Sequence, residues 1–365
     1  MRLFLCGDVM TGRGIDQALP HPVNPVLHEP YVRDAREYVQ LAEKAHGSIP
    51  RPLNFDYIWG AALQELECAE VDLRIVNLES AITSTETPWP GKGIHYRMHP
   101  QNVSCLSAGR ISACALANNH VLDWGYDGLS ETLRSLGAAG IARSGAGNDA
   151  HDAMQPAVLG TVGKGRVLLF SFGSTTSGIP QEWKATSISP GVNLLDDLSE
   201  TTAAQICDQM RAHQQPGDLI VASIHWGSNW GYEIPREQVL FAHRLIEYGV
   251  AVVHGHSSHH VKAIELFKGR LILYGCGDFL TDYEGISGYE TFRGDLALMY
   301  LIDLDSASGE LITARLVPMQ MRRFRLERAS AADARWLCDL LNEIGKRFGT
   351  AARLEGDNSL TLAWP

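Results

Sequence analysis

Two histidine-bearing stretches carry the densest chemistry in the chain, "SIHWGSNW" at 223–230 and "VVHGHSSHHVKAIE" at 252–265. Imidazoles bind borderline divalent ions, move protons near neutral pH, or simply pack. Each stretch ends an apolar, strand-like run, so the ends of the other such runs matter. "CGDVMTGRG" ends at Asp8, "IVNLES" at Asn77 and Glu79, and "LANNHVLD" at Asn118, Asn119, His120 and Asp123. The two later runs end at His225 and at His256 and His259. Carboxylates, an amide oxygen and imidazoles are the mixture expected around a pair of divalent ions. A carboxylate between two imidazole-bearing half-sites can bridge ions ~3.5–4 Å apart, clamping the attacking and leaving oxygens of a displacement.

Each group also has an ordinary reading. A histidine at the end of a strand can be core packing, "NLE" a helix cap, and "GHSSHH" a solvated loop. Asn-Asn-His suits a turn tolerant of left-handed backbone. The shared-site reading rests on coincidence, because all of these groups fall at the same end of successive strands.

The elements that must position them alternate. Strands are expected at "RLFLCGD", "VDLRIVNLE", "ISACALANNH", "RVLLFSF", "DLIVASIHW" and "VAVVHGH". Helices are expected from Asn54 through "NFDYIWGAALQELECAE", in "DGLSETLRSLGAAG", near 198–213, and after Pro235. "KG" between "HVKAIELF" and "RLILYGCGDF" suits a hairpin, and further alternating strands follow. This is an α/β pattern, and open α/β sheets bind ligands at the carboxyl ends of their strands. The Pro- and His-rich segment at about 20–54 reads as an insertion in the position of a lid. A helix and a short strand close the chain at about 330–365. Candidate site residues run from the first strand to near 280, so the whole chain, 1–365, is expected to form one domain.

The formal net charge of −11 argues against nucleic acid and anionic membranes as partners. No stretch reaches the ~18 consecutive apolar residues of a membrane span, and "MRLFLCGD" is polar too soon for a signal peptide. The seven cysteines are scattered singly, as core residues in a reducing compartment would be. A cytoplasmic address is therefore expected. There is no G-x-S-x-G elbow, and the glycines of "GTVGKGRVLLF" precede their strand, as a hairpin turn would and a phosphate loop would not.

The ordered series "GDVMTGRG", "NLES", "ANNHVLDWGYDGL", "HWG", "GHSSHHVKAIE" and "LYGCGDFL" resembles the poly-γ-glutamate capsule-synthesis (CapA-like) proteins, relatives of the calcineurin-like metallophosphoesterases, over roughly residues 2–300. The resemblance implies a four-layer α/β/β/α sandwich and two divalent metal ions, Mn, Fe or Zn. It implies Asp8 and His259 on the first ion, Glu79 as the bridge, and Asn119, His225 and His256 on the second. It makes His120 the general acid or transition-state stabiliser, with Asp123 orienting it. Three departures stand out, one being Ser257 in the place of the fifth motif's usual second His. Met10 occupies the place of a usual His ligand, and Asp278 replaces the usual Asn of "G-N-F", adding an acid as a substrate-side group, an outer acceptor or a turn cap.

Arg13, in the turn after Asp8, can hold an anion bidentately. Lys92, Arg97 and Asn118 are further substrate-side candidates, and Trp226, Trp230 and Tyr232 are candidates for a cleft wall. The expected function is a hydrolase of phosphoesters that uses a water activated between the two ions. The alternatives are γ-glutamyl amide hydrolysis or transfer, and a non-catalytic place in a polymer-synthesis assembly. In the catalytic readings the partner is a small anionic substrate, a phosphoester or a γ-glutamyl compound.

Overall fold

The structure, a computed structural model, describes residues 1–364. The strand Arg2–Val9 shows how the centre is built. Leu3 and Leu5 enter one apolar cluster, while Phe4 and Cys6 enter another. Successive side chains point to opposite faces of a strand, so this one is covered on both sides and reads as a continuous apolar run.

Arg2–Val9 lies inside a ten-stranded mixed sheet. On one side it runs parallel to Leu73–Leu78, which is followed outward by Ala113–Ala115 and Ala142–Ser144. On the other side it is antiparallel to Leu296–Leu304, which pairs with Leu311–Arg322. A second, six-stranded sheet has Gly165–Gly173, Leu219–His225, Val252–His256 and Arg270–Leu273 in parallel.

Alternate residues of the two sheets share one cluster: Leu3, Leu5, Leu73 and Ile75 from the first, with Val167, Leu169, Leu219, Val221 and Val252 from the second. The opposite face of the first sheet is covered by helices such as Arg36–His46, Ala61–Cys68 and Gly125–Ala138. The opposite face of the second is covered by Glu200–His213 and Arg236–Glu247. Ser199 caps the former through the Thr202 amide, and Pro235 precedes the latter.

The helix expected from Asn54 is broken. A 3₁₀ turn at Tyr57–Trp59 ends at Gly60, whose φ is +46°, and the α-helix starts at Ala61. A Cβ at Gly60 would stand 2.2 Å from the Leu326 carbonyl oxygen, so the break admits another strand's backbone. The Lys268–Gly269 hairpin joins Ile264–Phe267 to Arg270–Leu273 antiparallel, as expected, and "GTVGKG" turns a hairpin between Ala157–Thr161 and Gly165–Gly173. A strand at Ala351–Leu354 was not expected. Six of the seven cysteines are buried, Cys68 being exposed. Among the described residues no helix is long and apolar enough to cross a membrane.

Candidate metal centre

Register brings the polar strand ends together. Asp8 is paired with Asn77 on one side and Asp278 on the other, and His225 is paired with His256 in the second sheet. The strands of Asp8 and Asp278 approach so closely that a Cβ on Gly7 would lie 1.6 Å from the Gly277 carbonyl oxygen. The sheets meet here: the Ser257 amide donates to Asp8 Oδ2 at 3.3 Å, and His254 Nε2 reaches the Cys6 carbonyl at 2.7 Å.

Asp8, His225 and His256 each offer one ligand atom, and these atoms lie within 4.8 Å of one another with all three residues buried. Glu79 Oε1 is 3.8 Å and Asn119 Oδ1 3.1 Å from His225 Nε2. Asn77 Nδ2 donates to Asp8 Oδ1 at 2.8 Å and to Glu79 Oε2 at 3.4 Å, holding both carboxylates in place.

A chain of hydrogen bonds sets the protons. A carbonyl only accepts, so His254 Nε2 carries hydrogen toward Cys6. Burial pushes His254 down to about 4, so its ring is neutral and its bare Nδ1 accepts from Ser223 Oγ at 3.1 Å. Ser223 then accepts from His256 Nε2 at 2.8 Å, which leaves His256 Nδ1 bare, 2.8 Å from His225 Nδ1. If His225 donates there, its other nitrogen faces only the oxygens of Asn119 and Glu79. If it does not, two bare nitrogens face each other. Burial holds His225 well below its ordinary range, so a doubly protonated ring is disfavoured. The donor set therefore lacks one positive partner, and a divalent cation fits that lack.

The carboxylates agree. Burial, and then the neighbouring Asp278, push Asp8 up to about 7. Glu79 is pushed well up by burial and by Asp8. Buried acids this close stabilise a cation and resist ionising without one.

His120 stands at the rim. Its Nε2 is 3.7 Å from Glu79 Oε1, and its Nδ1 is 2.7 Å from Asp123 Oδ2. Tyr96 meets the ring edge-on at 4.4 Å, and burial lowers His120 to about 4. Burial alone would raise Asp123, but His120 and Lys92 outweigh it and hold the carboxylate below its usual range. Lys92 Nζ lies 2.5 Å from Asp123 Oδ1 and 3.0 Å from His120 Nδ1, so this substrate-side candidate is paired with Asp123 beside His120.

Other expected residues are placed differently. His259 does not join the tight cluster: its Nδ1 is 3.0 Å from Asp278 Oδ1 and its Nε2 3.0 Å from Asn229 Nδ2. Arg13 is not turned toward an anion. Its guanidinium holds Asp282 at 2.5 Å and Glu29 at 2.9 Å, sandwiched between Tyr38 and Tyr96. Arg97 is likewise committed, to the carbonyls of Thr85 and Asn24 and to the face of Trp124. Asn118 is buried, donating to Asn77 and the Leu78 carbonyl while accepting from the His120 amide, so it braces the site from beneath. Asp278 is buried beside Asp8. Trp226 belongs to the core under the second sheet, whereas Trp230 lies 5.3 Å from His259 and stacks on Tyr289.

Sequence reasoning missed Ser223 and His254. Only the spacing of His254, two residues before His256 on the same strand face, hinted at it.

The chain matches the family model described as "Bacterial capsule synthesis protein PGA_cap" over residues 2–283. It is 46% identical over 361 residues to a probable polyglutamine synthesis accessory protein of Mycobacterium tuberculosis (strain H37Rv), covering 99% of this chain and 95% of that protein. It is 26% identical over 191 residues to the capsule biosynthesis protein CapA of Bacillus anthracis, covering 52% of this chain and 45% of that one. A PGA biosynthesis protein CapA of Bacillus subtilis (strain 168) is 25% identical over 191 residues, covering 52% and 48%. The strand ends that build the centre, from Asp8 to Asp278, all lie within the matched residues, and the chain belongs to the PGA_cap family of bacterial capsule synthesis proteins.

Proposed function

We propose that this chain is a metal-dependent hydrolase of small anionic esters, phosphoesters first, built as a four-layer α/β/β/α sandwich of the calcineurin-like type. Support for the layering comes from the shared cluster between the sheets and the helix-covered clusters on their outer faces. The observation that carries the functional reading is the convergence of Asp8, His225 and His256 within 4.8 Å, all buried. Glu79 and Asn119 complete the set that would hold divalent ions, Mn²⁺, Fe²⁺ or Zn²⁺. Such ions supply Lewis-acid polarisation and bring the acidity of water toward neutrality.

The chain's own residues do the rest. Asn77 fixes the angle between the carboxylates of Asp8 and Glu79. Ser223 and His254 keep His256 Nδ1 free of hydrogen. His120, neutral and held through Nδ1 by Asp123, turns a bare Nε2 toward the space beside Glu79, where it first accepts a proton and only then can hand it to a leaving oxygen. Lys92 braces Asp123 beside His120 at this rim.

A second reading is favoured by the relatives' names. Polyglutamine and PGA synthesis suggest γ-glutamyl chemistry at the same centre, or an accessory role in such synthesis without turnover. The deciding experiment is a hydrolysis screen with added Mn²⁺ on protein purified without chelator, comparing phosphoesters with γ-glutamyl peptides. Metal-dependent phosphoester turnover supports the first reading. Metal uptake without turnover of either class leaves the accessory role.

A further inference from the structure

Asp278 is 2% exposed, and its Oδ2 is buried without a hydrogen-bond partner. It stands in register beside Asp8 on adjacent parallel strands, so the two carboxylates project to the same face. Like charges placed directly opposite in a sheet destabilise it, and burial sharpens the penalty. Glu79 is bridged to Asp8 through Asn77. The sulfur of Met10, where an imidazole ligand was expected, is instead approached by the Tyr283 hydroxyl at 3.6 Å. His259, the other expected imidazole, has both ring nitrogens engaged, one of them by Asp278 itself.

We propose that Asp278 is a metal ligand of this chain, holding a second cation with Asp8 and Glu79 while His259 serves as the outer partner that orients Asp278 Oδ1. This rests on the metal-centre reading above and goes beyond it by exchanging the roles of Asp278 and His259. It also names the ion class. The position beside Asp8 is all-carboxylate, which suits a hard ion such as Mn²⁺ or Mg²⁺. The position at His225 and His256 suits borderline ions including Zn²⁺. The unpartnered oxygen has a stated use in this arrangement, and a plain His259–Asp278 ion pair leaves it without one.

The test is Mn²⁺ binding to the purified full chain, followed through the free-ion electron paramagnetic resonance signal. Wild type should hold two ions. Asp278→Asn should hold the first with unchanged affinity and the second about tenfold or more weaker, and His259→Gln should weaken the second ion by less. Two ions bound with unchanged affinity in Asp278→Asn would overturn the assignment, as would a larger loss in His259→Gln. A wild type that binds no Mn²⁺ would overturn the metal-centre reading itself, which keeps the two failures distinct.

Discussion

His225 and His256 face each other across two parallel strands with their Nδ1 atoms 2.8 Å apart, and the hydrogen bonds around them supply too few protons for both rings. A cation beside the pair would fit that shortfall. His225→Ala should remove the part of the Mn²⁺ stabilisation that comes from the ion at His225 and His256, which for one site at a hundredfold excess of ion over its dissociation constant is about 2.7 kcal/mol. Thermal melts with and without Mn²⁺ measure this. A Mn²⁺ shift of wild-type size in His225→Ala would remove that residue from the centre.

His254 hydrogen-bonds to no candidate ligand except through Ser223, yet it decides which nitrogen of His256 is bare. His254→Phe keeps the ring's bulk and breaks the chain of donors. Metal affinity should fall by about 10- to 100-fold, as outer partners of ligating histidines generally require. Calorimetric titration with Mn²⁺ checks it, with circular dichroism confirming that the fold persists.

Asp123 holds a proton on His120 Nδ1 and anchors Lys92. In Asp123→Asn an amide can donate where the carboxylate accepted, which drives hydrogen to the other ring nitrogen and frees the lysine. Turnover of a phosphoester should drop by roughly 10²- to 10⁴-fold, the range for positioned acid–base groups. Metal content should not change, so assay and metal analysis on one preparation separate proton handling from ion binding.

Lys262 is 3% exposed with a single weak partner, the Ser228 carbonyl at 3.3 Å, and burial lowers it from 10.5 to about 8. Between about pH 8 and 10.5 the unfolded chain holds this proton while the folded one does not, so stability gained through this group rises with pH across that window and is absent below it. Lys262→Met should flatten the slope and add roughly 2–3 kcal/mol at pH 7. Urea melts at pH 7, 8.5 and 10 for both proteins show the difference directly. Parallel pH dependence in the two would exclude Lys262 as its source.

The location of the centre was legible because parallel strands end in polar groups that apolar periodicity does not explain, and Asp8, Glu79 and His225 each closed such a run. The direction in which side chains point was less so. Arg13 looked like an anion clamp because its local context is a glycine turn, but its partners Glu29 and Asp282 stand 16 and 269 residues away. His254 was barely legible for the opposite reason: beyond its spacing from His256, a histidine inside an apolar strand has the same pattern whether it packs or relays a proton. The break at Gly60 depends on Leu326, a distant strand whose approach leaves no local trace beyond the glycine itself.

Main chain touches main chain at Gly7 and Gly277, with no side chain between them. The spacing of the two acids that follow is thus inherited from the scaffold and is indifferent to most surface variation. Descendants of this chain can trade sulfur, amide, imidazole or carboxylate at positions 10 and 278 by single codon changes while the architecture stands still. They cannot adjust the gap itself without rebuilding two strands at once.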